Sequence, residues 1–345
     1  MLKQGLVQVY TGNDDRVNFA PMGLGLRASG HNLRTHMTCF FPHEWMEGAG
    51  MASILLKPNL VVEYARLEDI PPDGKWNDKA INEVQQSFQD AKKALLGKEF
   101  DIVVLNGINR ITGQGIISMD RLFELINLKP DHVELVLTGE GASDKLIERA
   151  DLVTEMVCHA DKDRIEKDYG QGSTAPIKVV TGNGKGKTTY CLGKALFMSC
   201  VGIRSLFLQF IKSPLAYGEI KAIGKLPYLE VKTMGEGFLN RHTGSPQKKH
   251  LEAARRAWEE CLRDIFSLKY GLIILDEINI ATHYGLIHPE RVKEMLFLKP
   301  EKLHLILSGR NAHPEVSQGA TTVIEMKEIK HPFTKGIKAR KGIEF

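Results

Sequence analysis

The sequence predicts an α/β protein of two tandem P-loop domains, RecA- or Rossmann-like, each a mostly parallel sheet with helices on both faces. Three observations carry that prediction: a glycine-rich loop set between a strand and a helix, a second apolar strand ending on two acids, and a repeat that presents the pattern twice, 170 positions apart.

The loop lies in Ile177 to Thr189, IKVVTGNGKGKTT. A run rich in β-branched residues (Ile177, Val179, Val180) gives way to Gly182, Gly184 and Gly186, then to Lys187, Thr188 and Thr189, then to the helix-compatible YCLGKALFM. Strand, glycine loop and helix in that order make a phosphate-binding loop. Glycines let backbone N–H groups curl around phosphate oxygens, a lysine brings a mobile positive charge, and a threonine hydroxyl suits Mg²⁺. Gly182, Asn183, Gly184, Lys185, Gly186, Lys187, Thr188 and Thr189 are therefore the candidate residues for a nucleoside triphosphate, although Thr181 stands where the common pattern begins with glycine. The second signal is YGLIILDEIN, Tyr270 to Asn279. An acidic pair at the carboxyl end of a buried strand is where such proteins seat magnesium, so Asp276 and Glu277 join Thr188 as candidate metal residues.

The repeat is read directly from the residues. Val9, Thr11, Gly12 and Asn13 match Val179, Thr181, Gly182 and Asn183, and the same offset relates Gly23 to Gly193, Phe40 to Phe210 and DIVVLNGIN at 101–109 to GLIILDEIN at 271–279. In the first unit strands are expected at 6–11, 35–41, 101–106, 132–138 and 152–157, and helices near 20–29, 77–96, 119–127 and 143–149, with counterparts 170 positions later. The clearest helix runs from Lys248 to Ser267, with Leu251, Ala254, Trp258, Leu262 and Ile265 on one face. Short apolar strands alternating with helices of this length imply parallel sheets. The division expected is 1–157 for the first domain, 158–176 for a linker and 177–345 for the second.

Chemistry separates the copies. Where the second has Gly184 to Thr189 the first has Asp14, Asp15, Arg16, Val17, Asn18 and Phe19. Asp276 and Glu277 become Asn106 and Gly107, Lys212 becomes Pro42, and Arg310 becomes Glu140. Carboxylates in a phosphate cradle repel the ligand, and losing the acidic pair removes the metal seat. The first copy is expected to be catalytically empty.

The chain of 345 residues is long enough for two cores, and 43% hydrophobic with 26% charged residues is ordinary for a soluble protein. A net charge of +4 without a dense Lys/Arg block gives no case for nucleic acid. No apolar run approaches a membrane span, and MLKQGLVQVYTG reads as a strand rather than a signal peptide, so a cytoplasmic protein is expected. Five cysteines, far apart and without zinc spacing, read as free thiols in reducing surroundings.

Six separated motifs occur in one order: TGNGKGKTT, LQFIK (Leu208 to Lys212), GEGF (Gly235 to Phe238), LDE (Leu275 to Glu277), SGR (Ser308 to Arg310) and the tail KHPFTKGIKARKGIEF (Lys330 to Phe345). From about residue 177 onward the chain resembles the P-loop corrinoid adenosyltransferases, also called cob(I)yrinic acid a,c-diamide adenosyltransferases. The resemblance implies transfer of the 5′-deoxyadenosyl group of ATP to the cobalt of a reduced corrinoid with release of triphosphate, in cobalamin biosynthesis or salvage. It implies Lys187, Thr188, Asp276 and Glu277 as catalytic residues, ATP with Mg²⁺, and a Co(II)-reducing flavoprotein or similar reductant as partner. It also implies Phe238 on the corrinoid, with Asn240 where the family's aromatic stretch carries tryptophan. Lys212 and Arg310 read either as cations facing phosphates or as ordinary loop residues. In the family a segment ahead of the P-loop strand covers the partner subunit's site, so 158–176 reads as such a segment or as a plain tether, and the whole chain as an intramolecular pseudo-dimer. Competing readings are a P-loop NTPase or kinase cleaving at the γ-phosphate, and a nucleotide-gated corrinoid-binding regulatory module.

Overall fold

The computed structural model describes residues 2–41, 46–67, 76–161, 174–211, 218–234 and 248–344. The first half runs β1 (Val7–Gly12), α1 (Phe19–Ser29), β2 (Thr35–Cys39), α2 (Met46–Leu55), β3 (Leu60–Tyr64), α3 (Asp78–Leu96), β4 (Ile102–Asn106), α4 (Ile108–Gly113), α5 (Met119–Leu128), β5 (Glu134–Thr138), α6 (Asp144–Arg149) and β6 (Leu152–Asp161). The second repeats it as β7 (Ile177–Thr181), α7 (Lys187–Cys200), β8 (Ser205–Gln209), α8 (Gly218–Ile223), β9 (Leu229–Thr233), α9 (Lys248–Ile265), β10 (Leu272–Asp276), α10 (Ile278–His283), α11 (Pro289–Leu298), β11 (His304–Ser308), α12 (Pro314–Gln318) and β12 (Thr322–Lys330). Each half thus adds a strand, β3 or β9, and short helices such as α2 and α8 to what the sequence pattern predicts.

The twelve strands among the described residues form one sheet in the order β3-β2-β4-β5-β1-β6-β12-β7-β11-β10-β8-β9. The second half reproduces the first strand for strand, turned about the seam where β6 meets β12. That seam is antiparallel, while the remaining pairs among the described residues are parallel. Cys158 lies opposite Ile324 and Asp161 opposite Thr322, so β6 continues into the stretch assigned to the linker from the sequence. Its reason is pairing: the backbone groups of residues 158–161 are satisfied by β12 rather than by water.

One face of the sheet carries a core that both halves share. Leu24, Leu26 and Met37 pack in one cluster with Tyr190, Leu192, Leu196 and Ile223. The opposite face carries two separate cores, one around Phe88, Leu105 and Leu122 and the other around Trp258, Leu275 and Met295. In α9 the expected stripe holds at Ala254, Trp258 and Ile265, while Leu251 near the helix start is 41% exposed.

Helices α1 and α7 cross where the repeat pairs Gly23 with Gly193. A Cβ added at Gly23 would stand 1.8 Å from the Thr189 carbonyl oxygen, and one at Gly193 2.0 Å from the Phe19 carbonyl oxygen. The two backbones meet because neither position has a side chain.

Candidate nucleotide site

Strand β7 delivers the glycine loop to the N-terminus of α7. Gly182 and Gly186 hold φ of 93° and 101°, a left-handed backbone that a side chain would strain. The Gly184 N–H donates to the Met326 carbonyl at 2.7 Å, which pins the loop to β12. Lys187 opens the helix with its side chain turned back into the loop, donating to the carbonyls of Gly182 and Gly184, each at 2.7 Å. It is 9% exposed.

Below the loop, β10 ends at Asp276, which is fully buried and accepts from Ser308 Oγ at 2.6 Å and Thr188 Oγ1 at 3.1 Å. Glu277 follows with φ of 65°, in the left-handed conformation that Gly107 adopts in the first half. A non-glycine residue held there costs of order 1–3 kcal/mol, a strain that clusters at functional sites. Arg310 bends over from the end of β11 and donates to the Asn183 carbonyl at 3.1 Å. Thus Gly182 to Thr189, Asp276, Glu277 and Arg310 converge at the carboxyl ends of the strands. Lys212, Phe238 and Asn240 lie outside the described residues, as do residues 162–173 of the linker.

The first half has the same frame with other chemistry. Asp14 accepts from the Arg16 N–H at 2.9 Å and caps a 3-10 turn, Asp15–Asn18, that runs directly into α1, and Val17, at the position of Lys187, is wholly buried. Where Thr188, Asp276 and Ser308 meet, the first half has Asn18, Asn106 and Thr138. The Thr138 hydroxyl lies 2.7 Å from a side-chain oxygen of each asparagine. A neutral hydrogen-bonded cluster has replaced the carboxylate, and the cradle is filled by its own chain.

A cavity of about 390 Å³ opens beside the second half's loop. Its lining combines apolar side chains, Leu24, Leu152, Ile211, Ile280 and Ile343, with polar and charged ones that include Lys185, Lys187, Thr188, Glu277 and Arg310. That mixture suits a nucleoside with its phosphates on the loop. Three of its polar wall residues, Gln8, Tyr10 and Arg27, come from the first half, and Glu344 comes from the tail. Tyr10 Cε1 would lie 2.9 Å from a Cβ at Gly186. Arg27, 3% exposed, donates to the Ile343 carbonyl at 3.0 Å. Glu344 lies in the tail motif KHPFTKGIKARKGIEF, whereas Gln8, Tyr10 and Arg27 are marked by no local motif. The readable signal is their mismatch in the repeat, which sets Tyr10 against Val180 and Arg27 against Phe197.

Hydroxyl and carboxylate oxygens at Thr188, Asp276 and Glu277 are hard donors of the kind magnesium takes. Among the described residues no group of three or more His, Cys, Asp or Glu could hold a metal unaided.

Burial, and after it the Arg310 guanidinium, pulls the Lys187 ammonium down to about 8 from its ordinary value of 10.5. Between these values the unfolded chain binds more protons than the folded one, so this group adds stability to the ligand-free chain as pH rises through that window. Phosphate binding runs the opposite way, because it requires the ammonium. The Kd for a nucleoside triphosphate, measured by calorimetry from pH 7 to 9.5, is expected to rise above about pH 8 by up to about tenfold per unit. A flat profile would separate Lys187 from the phosphates.

Among the described residues no helix is long and apolar enough to cross a membrane. Comparison with known proteins finds the profile of the family described as ATP:corrinoid adenosyltransferase BtuR/CobO/CobP matching twice, over residues 3–170 and 173–345. A corrinoid adenosyltransferase of Sinorhizobium sp. is 38% identical over 174 residues, covering 49% of this chain and 79% of its own length. The corrinoid adenosyltransferase CobA of Salmonella typhimurium is 31% identical over 189 residues, 53% of this chain and 93% of its own. An uncharacterised protein of Nostoc sp. is similar nearly end to end, at 29% identity over 342 residues, 94% of this chain and 89% of its own.

Proposed function

Because the chain belongs to the ATP:corrinoid adenosyltransferase family, we propose that its second half alone performs the transfer, moving the 5′-deoxyadenosyl group of ATP to a Co(I) corrinoid and releasing triphosphate. The observation that carries this reading is the asymmetry of the two cradles: Lys187, Thr188 and Asp276 face Val17, Asn18 and Asn106 across the repeat. The cobalt electron pair forms the bond to C5′, the C5′–O bond breaks, and its electrons leave on the triphosphate. No general base is needed. The loop N–H groups with Lys185, Lys187 and Arg310 would grip the leaving triphosphate and stabilise the charge gathering on it. A magnesium ion brought with ATP would be held at Thr188, Asp276 and Glu277, and would neutralise part of that charge. The first half serves as the fused partner of a pseudo-dimer, which supplies the covering wall at high effective concentration. Delivery of Co(I) calls for a separate reductant, a flavoprotein or similar, and a reducing, cytoplasmic setting suits both the reaction and five cysteines that form no disulfide.

Incubation with ATP, Mg²⁺ and chemically generated cob(I)alamin tests the reading. A cobalt–carbon bond is expected in the spectrum, and one triphosphate per turnover with no ADP by ion-exchange chromatography. Stoichiometric ADP would instead mean cleavage at the γ-phosphate and a kinase or NTPase.

A further inference from the structure

The carboxylate of Glu134, at the start of β5, is completely buried in the first half, yet its principal partner belongs to the tail of the second. Arg340 takes it in a two-pronged ion pair, Nη1 to Oε2 at 2.6 Å and Nη2 to Oε1 at 2.9 Å. Glu134 also accepts from the Leu6 N–H at 2.7 Å and from the Gln8 side-chain amide. Arg340 continues the chain of contacts to Glu344, from its backbone N–H at 2.6 Å and from Nη2 at 3.1 Å. Glu344 in turn holds Lys185 of the phosphate loop, Nζ to Oε1 at 3.0 Å. On the other side Gln8 accepts from the Tyr10 hydroxyl at 3.1 Å.

The repeat shows that this arrangement is an acquisition of the first half. At the positions of Glu134 and Gln8 the second half has His304 and Lys178, and no tail follows the first half. A buried carboxylate is costly unless it is paired with good geometry, and among the described residues the ion-pair partner of this one comes from a segment more than 200 residues away. The tail that it anchors forms a wall of the nucleotide cavity, with Ile343 4% exposed and Glu344 lining the same space. Glu344 is flanked by Arg340 and Lys185, so a negative charge stands at the cavity rim without presenting itself unpaired to an anionic ligand.

We propose that Glu134 is a positioning residue for nucleotide binding: acting through Arg340, it docks residues 336–344 across the cavity and fixes the tail against Lys185. The first half would thereby act on the phosphate loop through the second half's own tail. The proposal rests on the nucleotide reading of that cavity, and its test separates the two.

Hydrogen exchange of residues 336–344 is measured without nucleotide, and the ATP Kd and steady-state kinetics are measured separately. These are compared for the wild-type chain, Glu134→Gln, and Glu134→Gln with Arg340→Met. In the double variant neither charge is left alone in the interior, so it keeps the proposal testable where the single variant fails to fold. Expected are exchange at least tenfold faster in the tail, an ATP Kd and KM raised about tenfold, kcat at saturating ATP within about twofold of wild type, and a double variant no weaker than the single. Unchanged tail exchange in the double variant overturns the docking role. Faster exchange with wild-type ATP affinity leaves Glu134 a purely structural residue and overturns the positioning role. A wild-type chain that binds no ATP fails the nucleotide reading itself, a result distinct from either, because tail exchange is read in its absence.

Discussion

Lys187→Ala is expected to lower kcat/KM for ATP by about 10²–10³-fold, the usual result of removing one charged donor aimed at developing charge. Its ammonium is held 2.7 Å from the Gly182 and Gly184 carbonyls, which are partners that arriving phosphate oxygens would replace. Burial that lowers its affinity for a proton also strengthens its attraction for an anion, since little water remains to screen the pair. The loss should appear in kcat as well as KM, because charge on the departing triphosphate exceeds that on bound ATP at the bridging oxygen. Steady-state kinetics at saturating and limiting ATP measure both. A variant with wild-type turnover would falsify the assignment of Lys187.

Gly193→Ala is expected to lower the unfolding free energy by about 3 kcal/mol, at the top of the range for overpacking. Helix propensity favours the substitution by about 1 kcal/mol, so its sign is set by the crossing. The added carbon would stand 2.0 Å from the Phe19 carbonyl oxygen and 3.0 Å from the Gly23 nitrogen, and backbone atoms cannot rotate aside as a side chain would. Relief requires α1 and α7 to separate, which opens the core that both halves share. Urea denaturation, followed by circular dichroism, should show the midpoint fall. An unchanged or raised midpoint would mean that the helices slide past each other at little cost.

Much of this was legible in the residues because the repeat is long and its strands are apolar. LIILD and IVVLN, each wholly buried, announce central strands, and the same offset that pairs them pairs Gly23 with Gly193. The edge strands left weaker traces. LVVEY of β3 buries only Leu60 fully, and α2, MEGAGMASIL, is apolar on every side and broken by two glycines, so neither shows a clear period. The phosphate loop and the acidic pair are local, and sequence spacing is enough to find them. Gln8, Tyr10 and Arg27 reach the cavity only because the halves are turned about β6 and β12, and Glu134 meets Arg340 for the same reason. No local pattern encodes a meeting of that range.

The seam also decides what the halves are on their own. A sheet edge offers a row of unpaired N–H and C=O groups to any strand that comes near. In the intact chain β6, of ten residues, and β12, of nine, spend those groups on each other, and the sheet ends instead on the five-residue strands β3 and β9. Severed from its neighbour, either half would present its longest strand as an open edge, self-complementary in the antiparallel sense. The fusion is thus also a safeguard against promiscuous pairing between copies.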